Sequence, residues 1–408
     1  MNRRQFLKRA GIVGGVLGGV GLAGWSQWPQ AGVLNPCRAG LPPGLAQHPL
    51  MQQVWAGIDP AKVWDVHAHL VGVGDSDSGA WANPKMDSLW NPLQYIQKIF
   101  YMNAGCVHDA PGRIDASFVA RLENLMDGFP AGAQILLFAF DWAHDAQGRP
   151  QREASAFYVP NAYAARVALA HPTRMQWAAS IHPYRKDALA ALERAVTDGT
   201  RAMKWLPAAM GIDPGSPRCD AFYRLMAKHE LPLITHAGHE AAVAGSARQE
   251  YGNPLKLRRA LDLGVRVVVA HCASHGDDLD QTGKRRSSFE IFAGMMEAAL
   301  PGLYGDISAV TQFNRAEVLK TLLARPEWHS RLLNGSDYPL PGILPLTSLN
   351  KLVNLGLLDA DAKSFLNGLR EHNPLLFDFA LKRLLRYNGS NFPRAVFETR
   401  DFFDRKSP

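Results

Sequence analysis

Short apolar runs alternate with amphipathic stretches along most of this chain. Eight runs rich in β-branched and aliphatic residues predict strands, which span residues 63–67, 134–140, 175–182, 200–206, 231–236, 265–271, 302–308 and 331–336. The stretches between them predict helices, among them residues 186–197, 219–229, 254–263, 287–299 and 315–324. Near-continuous apolar runs such as residues 265–270 suit parallel strands that are covered on both faces.

Strict alternation of strands and helices favours a parallel α/β architecture, and eight such units favour a closed (β/α)8 TIM barrel. An open doubly wound sheet is the alternative, but no glycine-rich phosphate loop follows the first strand, as that fold would often show. We therefore predict fold class α/β with one barrel over residues 61–390 and a C-terminal tail over residues 391–408.

One connection is much longer than the others. About 64 residues separate His69 from Gln134, whereas connections in compact domains are usually short. We expect residues 70–130 to form an insertion that contains helix and folds over the barrel mouth, either as a packing appendage or, as we favour, as a lid. Its aromatic side chains are Trp81, Trp90, Tyr95, Phe100 and Tyr101.

The positive charge is concentrated at the N-terminus. The formal charge is +7, and residues 1–40 contain no acidic residue. The basic residues there are Arg3, Arg4, Lys8, Arg9 and Arg38. Without these five, 39 basic residues face 37 acidic ones, so the folded body is nearly neutral and no nucleic-acid partner is expected.

The first residues predict export. The pair Arg3-Arg4 precedes Phe6-Leu7-Lys8 and a glycine-rich apolar stretch over residues 11–25, which resembles a twin-arginine signal. The glycines disfavour the alternative, an amphipathic surface helix. We expect a signal over residues 1–28 that is read by the twin-arginine translocation machinery, a linker over residues 29–60, and a location in the periplasm or cell envelope. Cleavage of the signal and its retention as a membrane anchor both stay open.

The four cysteines suggest neither a disulfide scaffold nor a zinc finger, because there is no CxxC pair. They are Cys37, Cys106, Cys219 and Cys272. In an oxidising compartment they could form up to two bridges, and their spacing does not reveal which.

Several predicted strands end in a residue that can bind metal. His67 and His69 end the first strand, where strict alternation would place them on one face together with Asp65. A histidine pair alone is weak evidence, but other strands end in His236, His271 and Asp337. Three histidines and a carboxylate with an open position are typical of a catalytic divalent site, and this mixed nitrogen and oxygen set suits Zn2+ best.

Taken in order, these motifs resemble the amidohydrolase superfamily. The likeness is closest to the branch of TIM-barrel metal-dependent hydrolases that includes aminocarboxymuconate semialdehyde decarboxylase, and it runs from about residue 63 to about residue 385. The motifs are Asp65-Val-His67-Ala-His69, Ile181-His182-Pro183-Tyr184, Leu-Ile-Thr-His236, Val-Val-Ala-His271, Leu-Tyr-Gly-Asp306, Gly335-Ser-Asp337-Tyr-Pro and Glu371-His372-Asn373-Pro374-Leu375.

The resemblance implies a role for each strand-end residue. His67, His69, His236 and Asp337 would hold the metal, and Asp337 would also accept a proton from the activated water. His271 would be the acid/base or a second group that polarises the substrate. A core histidine bonded to backbone is the alternative for His271.

Lys204 leaves the metal count open. It lies where binuclear relatives carry a carboxylated lysine, whereas in the closer branch a lysine here accompanies a single metal and faces substrate or a carboxylate such as Asp65. We favour one Zn2+, with two only if Lys204 is carboxylated. Asp306 would support the ligands from behind.

Other polar residues follow strand ends. Arg185, His239 and Glu240 could contact substrate, although such positions are as often loop or capping residues. Cys272 has no nearby base in the sequence and is expected to pack as a small apolar side chain.

Three functions are compatible with this pattern. We favour hydrolysis of a small ester, amide or lactone by metal-activated water. The second hypothesis is non-oxidative decarboxylation of a small carboxylic acid, with an arginine that binds the carboxylate. The third is a non-catalytic envelope binding protein, which would not need the complete metal set. A homodimer is one assembly that the sequence leaves open.

Overall fold

The computed structural model describes residues 34–107, 110–243, 245 and 248–404. The predicted signal, with Arg3 and Arg4, lies outside these residues. None of the helices in the described ranges is long and apolar enough to cross a bilayer.

Eight parallel strands form the centre of the molecule. They are β1 Trp64–His69, β2 Gln134–Phe138, β3 Met175–Ala178, β4 Met203–Trp205, β5 Leu233–His236, β6 Val267–Ala270, β7 Leu303–Asp306 and β8 Leu332–Leu333. Hydrogen-bonded neighbours follow chain order from β1 to β3 and from β4 to β8. Parallel bridges Ala179–Met203 and Ala68–Tyr338 join the two groups into a ring. The predicted closed (β/α)8 barrel is confirmed.

Helices surround this ring. They are α1 Pro43–Ala46, α2 Pro49–Trp55, α3 Pro92–Ala104, α4 Ile114–Met126, α5 Asn161–Ala170, α6 Ala188–Thr197, α7 Pro207–Met210, α8 Asp220–Lys228, α9 Arg258–Asp262, α10 Ser288–Glu297, α11 Val318–Ala324, α12 Leu349–Asn354, α13 Ala362–His372, α14 Pro374–Leu384 and α15 Arg400–Phe403. Short 3-10 turns lie at Pro60–Lys62, Pro84–Asp87, Arg152–Ala154, Pro217–Cys219, Gln249–Gly252, Pro254–Leu257, His271–Ala273, Pro326–Arg331, Leu340–Gly342, Leu344–Leu346 and Arg394–Val396.

The strands are buried on both faces, as their apolar runs predict. A small cluster that includes Trp64, Val66, Leu136, Ile234 and Val268 fills the inside of the barrel. A much larger apolar cluster lies between the outer face of the strands and the helices. The polar residues at the strand ends therefore sit on a rigid support.

A bulge in β1 corrects one prediction. Asp65 pairs with Ile135 and Ala68 with Leu137, so two residues of β1, Val66 and His67, face the one residue of β2 between them. Asp65 lies beside the outward-facing Ile135, while the ring of His67 packs on Phe138 inside. The expectation that Asp65 shares a face with His67 and His69 is wrong, because strict alternation does not hold across a bulge.

The insertion contains helices α3 and α4, as predicted. Tyr101 on α3 donates a hydrogen bond to the carbonyl of Ala242 (2.7 Å), in the loop after β5. A short antiparallel ribbon pairs Trp81–Ala82 with Phe157–Tyr158, which follow β2. The insertion thus contacts loops at the carboxyl end of the barrel, and its role as a lid stays a prediction.

Both flanking segments pack on the barrel. In the predicted linker, α2 places Trp55 against Phe379 with ring centroids 4.6 Å apart. A disulfide joins Cys37 to Cys106 in the insertion, and Cys219 and Cys272 are buried and free. The predicted C-terminal tail ends in α15, where Phe403 stacks on Trp64 at the start of β1 (5.6 Å).

Two small antiparallel ribbons complete the described elements. Asp277–Leu279 pairs with Arg285–Ser287 before α10, and Arg386–Tyr387 pairs with Ser390–Asn391 after α14.

Candidate metal centre

Asp337 lies at the centre of a cluster of histidines at the carboxyl end of the barrel. Its Oδ1 is 3.3 Å from Nε2 of His67 and 3.2 Å from Nε2 of His69, and its Oδ2 is 3.8 Å from Nε2 of His271. Among the described residues, His67, His69 and Asp337 form one group with ligand atoms close enough to hold a metal ion, and His67, His271 and Asp306 form another.

The turn after β8 brings Asp337 to the histidines. Gly335 is required there because a Cβ atom would lie 2.5 Å from the Cβ of His67. Asp337 has a left-handed φ of 63°, which costs a non-glycine residue on the order of 1–3 kcal/mol. Its N–H donates to the carbonyl of His67 (2.7 Å), so β1 itself holds the turn in this conformation.

Asp306 and Ser308 fix the tautomers of two histidines. The Nδ1 of His67 is 2.8 Å from a carboxylate oxygen of Asp306 and must donate to it, because a carboxylate only accepts. The Nδ1 of His271 likewise donates to the carbonyl of Ser308 (3.1 Å), close to the Ser308 hydroxyl (2.7 Å), which is itself bonded to Asp306. Both rings therefore direct an unprotonated Nε2 towards Asp337.

His236 is held in a different way. Its Nδ1 lies 3.5 Å from the carboxylate of buried Glu240, which also accepts the N–H groups of Ala242 and Val243 (2.7 and 2.9 Å). The ring centroid of His236 is 5.3 Å from that of His271. Its buried Nε2 has no hydrogen-bond partner in the described part of the chain. Because buried polar atoms normally have a partner, this nitrogen is suited to bind a metal ion.

Lys204 reaches the same cluster from β4. Its Nζ lies 3.1 Å from Nε2 of His67 and 4.6 Å from the centre of the Phe138 ring. Burial lowers the pKa of Lys204 to about 8, although Asp306 and Asp337 oppose this shift. The suggestion that Lys204 faces Asp65 fails, because the bulge in β1 places Asp65 on the other side of the strand.

The pKa values of the clustered residues favour the protonation states that bind a cation. Burial lowers the pKa of His67 to about 4 and also lowers the pKa values of His236 and His271, so these imidazoles are neutral at pH 7. Burial alone would raise the pKa of Asp337, but His271, His67 and a hydrogen bond with His69 hold it below its usual range. Neutral imidazole nitrogens and an ionised carboxylate are the forms that bind a divalent ion.

The residues therefore fit a divalent metal. His67, His69 and His236 offer imidazole nitrogens and Asp337 offers oxygen, a donor set typical of Zn2+. His271 and Lys204 lie close enough to extend the set.

Two predicted substrate contacts lie elsewhere. Arg185 forms a bidentate pair with Asp187 (2.9 and 2.8 Å) and a third bond with Asp141 (2.9 Å), so its guanidinium is already occupied. His239 is exposed and packs edge-on against His275. Neither belongs to the groups formed by the metal-binding residues.

Arg315 is a site residue that sequence reasoning missed. The sequence pattern predicts a helix over residues 315–324, but α11 begins at Val318 and Arg315 lies in the preceding loop. Its side chain is buried and donates to Ser274 (3.1 Å), and its Nε has no partner among the residues described here. Asp337, Glu240 and Asp306 are the acidic groups that influence its pKa, which burial lowers. No local pattern in the sequence indicates this buried position, because Arg315 lies in a loop and not in a helix.

Comparison with known proteins identifies the family. Residues 64–363 match the model of the amidohydrolase family. The chain belongs to this family. The match begins at β1 and ends within α13, so it includes every strand of the barrel. The catalytic and metal-binding roles of individual residues stay predictions.

Solved structures with a similar fold are distant from this amidohydrolase. An uncharacterised TIM-barrel protein from Bordetella bronchiseptica is 18% identical, with 74% of this chain and 94% of that chain covered and a TM-score of 0.47. A proposed 2-pyrone-4,6-dicarboxylic acid hydrolase from Pseudomonas putida is 14% identical, with coverage of 78% and 98% and a TM-score of 0.41. A 5-carboxyvanillate decarboxylase from Sphingomonas paucimobilis is 11% identical, with coverage of 74% and 95% and a TM-score of 0.40.

At these identities the similarities do not bear on the reaction. No curated protein matches the chain.

Proposed function

We propose that this amidohydrolase is a Zn2+-dependent hydrolase of a small ester, amide or lactone. The observation that carries the proposal is the position of Asp337, whose two oxygens face ligand histidines on one side and His271 on the other. Bound at His67, His69, His236 and Asp337, the metal would polarise a substrate oxygen and make water more acidic.

The residues of the chain would then handle the protons. Asp337 accepts the proton of the attacking water, because it is ionised and lies beside the ligand histidines. Asp337 then passes this proton to the unprotonated Nε2 of His271 on the opposite side, and His271 donates it to the leaving group. Asp306 keeps His67 and Ser308 keeps His271 in the tautomer that these roles need.

Decarboxylation is the second candidate, and Arg315 favours it. The guanidinium of Arg315 is buried, its Nε has no partner among the described residues, and it lies within electrostatic reach of the cluster. Such a group suits a substrate carboxylate better than a neutral ester. The same metal centre would orient that carboxylate, and loss of carbon dioxide would need no water.

Product analysis distinguishes the two reactions. The Zn2+-loaded enzyme would be incubated in water labelled with heavy oxygen, with a library of esters, amides, lactones and aromatic and aliphatic carboxylic acids. Hydrolysis predicts one labelled oxygen in the product, whereas carbon dioxide release with an unlabelled organic product would establish decarboxylation instead. No turnover of any substrate by the fully loaded protein would favour the binding protein.

Asp337→Asn is the matched control. The amide is similar in size, but it ligates weakly and cannot accept the proton, so turnover should fall by roughly 10²–10⁴-fold while the barrel stays folded. Near-normal turnover by the purified, folded variant would contradict the role of Asp337.

We also propose export to the periplasm or cell envelope. The support is the Arg3-Arg4 sequence together with the Cys37–Cys106 disulfide, since such bonds persist mainly in oxidising compartments.

A further inference from the structure

A second group of buried charges lies behind the metal centre. On α14, Asp378 and Lys382 are one turn apart, and their side chains are only 4% and 0% exposed. The Nζ of Lys382 donates to the carboxylate of Asp378 at 2.5 Å and to the carbonyl of Gly335 at 2.6 Å. None of the proposed catalytic roles uses either residue.

Lys382 and the neighbouring Asp65 bond to the backbone of the two segments that carry metal ligands, the turn after β8 and strand β1. Gly335 begins the turn that carries Asp337, two residues further on. The Oδ1 of Asp65 accepts the N–H of Ser336 (2.8 Å) in that turn and the N–H of His67 (3.1 Å) in β1. Asp65 and Asp378 line one small cavity, and Lys382 is close enough to influence the ionisation of Asp65. The turn after β8 is thus hydrogen-bonded by the ammonium group of Lys382 and by the carboxylate of Asp65.

Stability alone does not account for a buried lysine here. Desolvation of a buried ion pair offsets most of its Coulomb attraction, and apolar replacements of similar volume are often neutral or stabilising. The surroundings of α14 are apolar, with Leu375, Phe379 and Leu381 fully packed. What the ammonium group supplies, and a methionine could not, is a short directional bond to the carbonyl of Gly335.

We propose that Lys382 is a positioning residue for the metal centre. By holding the carbonyl of Gly335, it fixes the turn after β8 so that the carboxylate of Asp337 meets the imidazoles of His67 and His69. Asp378 neutralises the ammonium group, and Asp65 secures the facing strand. This inference depends on the metal centre proposed above.

Three variants test it. Lys382→Met removes the bond to Gly335 and leaves Asp378 buried without its partner. Lys382→Met/Asp378→Asn also removes the bond but leaves no unpaired charge. Arg370→Met is the matched control, because Arg370 is a buried cation on the preceding helix that donates to the carbonyls of Leu344 and Thr347, which lie outside the turn of residues 335–337.

Three measurements separate positioning from stability, and one of them is the unfolding midpoint in urea. Zn2+ affinity is obtained by competition with a chelator, and amide hydrogen exchange of Ser336 and Asp337 is followed in the metal-free protein. We expect Zn2+ affinity to fall by roughly 10–100-fold in both Lys382 variants, with faster exchange at the two amides. The double variant should recover the unfolding midpoint of the parent but not its affinity, and Arg370→Met should keep the parent's affinity.

Other outcomes would overturn the inference. Parent-like Zn2+ affinity in the double variant would show that Lys382 only balances the charge of Asp378. Equal losses in Arg370→Met would mean that any buried cation in this region has the same effect. If the parent protein binds no Zn2+, the proposed metal centre itself is wrong. If the parent and the Lys382 variants bind Zn2+ equally well, the metal centre stands and only the positioning role of Lys382 is wrong.

Discussion

At the scale of single residues, Lys204 decides how many metal ions the centre holds. Its Nζ is 3.1 Å from Nε2 of His67, and a cationic ammonium there would repel a second ion. Two ions could bind only if Lys204 became a carbamate, with His271 recruited as a further ligand. Among the described residues, Nε2 of His236 has no hydrogen-bond partner, and one bound ion would be enough to satisfy it.

We therefore predict one tightly bound Zn2+ per chain, retained by Lys204→Met and lost by His236→Ala. The reason is that the methionine removes no ligand, whereas the alanine removes one of four. Elemental analysis of the purified proteins measures the count. Two ions in the parent and one or none in Lys204→Met would show a binuclear centre.

At the scale of elements, residues 391–404 pack on the barrel and do not form a free tail. Phe403 of α15 is buried among the residues that fill the inside of the barrel and stacks on Trp64. The hydroxyl of Thr399 donates to the carbonyl of Trp64 (2.8 Å), and the N–H of Asn334 donates to the carbonyl of Val396 (2.8 Å). These contacts close the end of the barrel opposite the metal centre.

Phe403→Ala should therefore lower the free energy of unfolding by about 3–5 kcal/mol, because it leaves a cavity in a packed core. Zn2+ affinity should be unchanged, since the site lies at the other end of the strands. Urea denaturation measures the first effect and chelator competition the second. Leu169→Ala, at an exposed position of α5, is the control and should stay within about 0.5 kcal/mol of the parent. A loss below about 1 kcal/mol in Phe403→Ala would show that α15 is not part of the cooperative core.

At the scale of the whole molecule, the proposed export route requires the protein to fold and bind its metal before it is translocated. A metal enzyme gains from folding around its ion before it crosses a membrane, and the twin-arginine route is the one suggested by Arg3 and Arg4. Changing both to lysine keeps the charge but removes the motif, so active protein should accumulate in the cytoplasm. Cell fractionation with an activity or metal assay measures this. Unchanged accumulation in the envelope would rule out the twin-arginine route.

The barrel and the set of residues that could bind metal were predictable from the local pattern of residues. Periodicity is a local property, so apolar runs and amphipathic stretches located all eight strands, and four of the five named helices were found to within three residues at each end. The fifth, α9, begins four residues later than predicted, because residues 254–257 form a 3-10 turn. Residues at the carboxyl ends of parallel strands must converge at one mouth, and His67, His69 and Asp337 do so.

Which other residues accompany them depends on contacts that form only in the folded chain. The bulge in β1 turned Asp65 outward, and a loop placed Arg315 inward, because both depend on how strands pair and helices begin rather than on residue type. Likewise, nothing near Lys382 in the sequence indicates its contact with Gly335, 47 residues away. Contacts between distant segments depend on the packing of the whole barrel, so they cannot be predicted from the local sequence pattern.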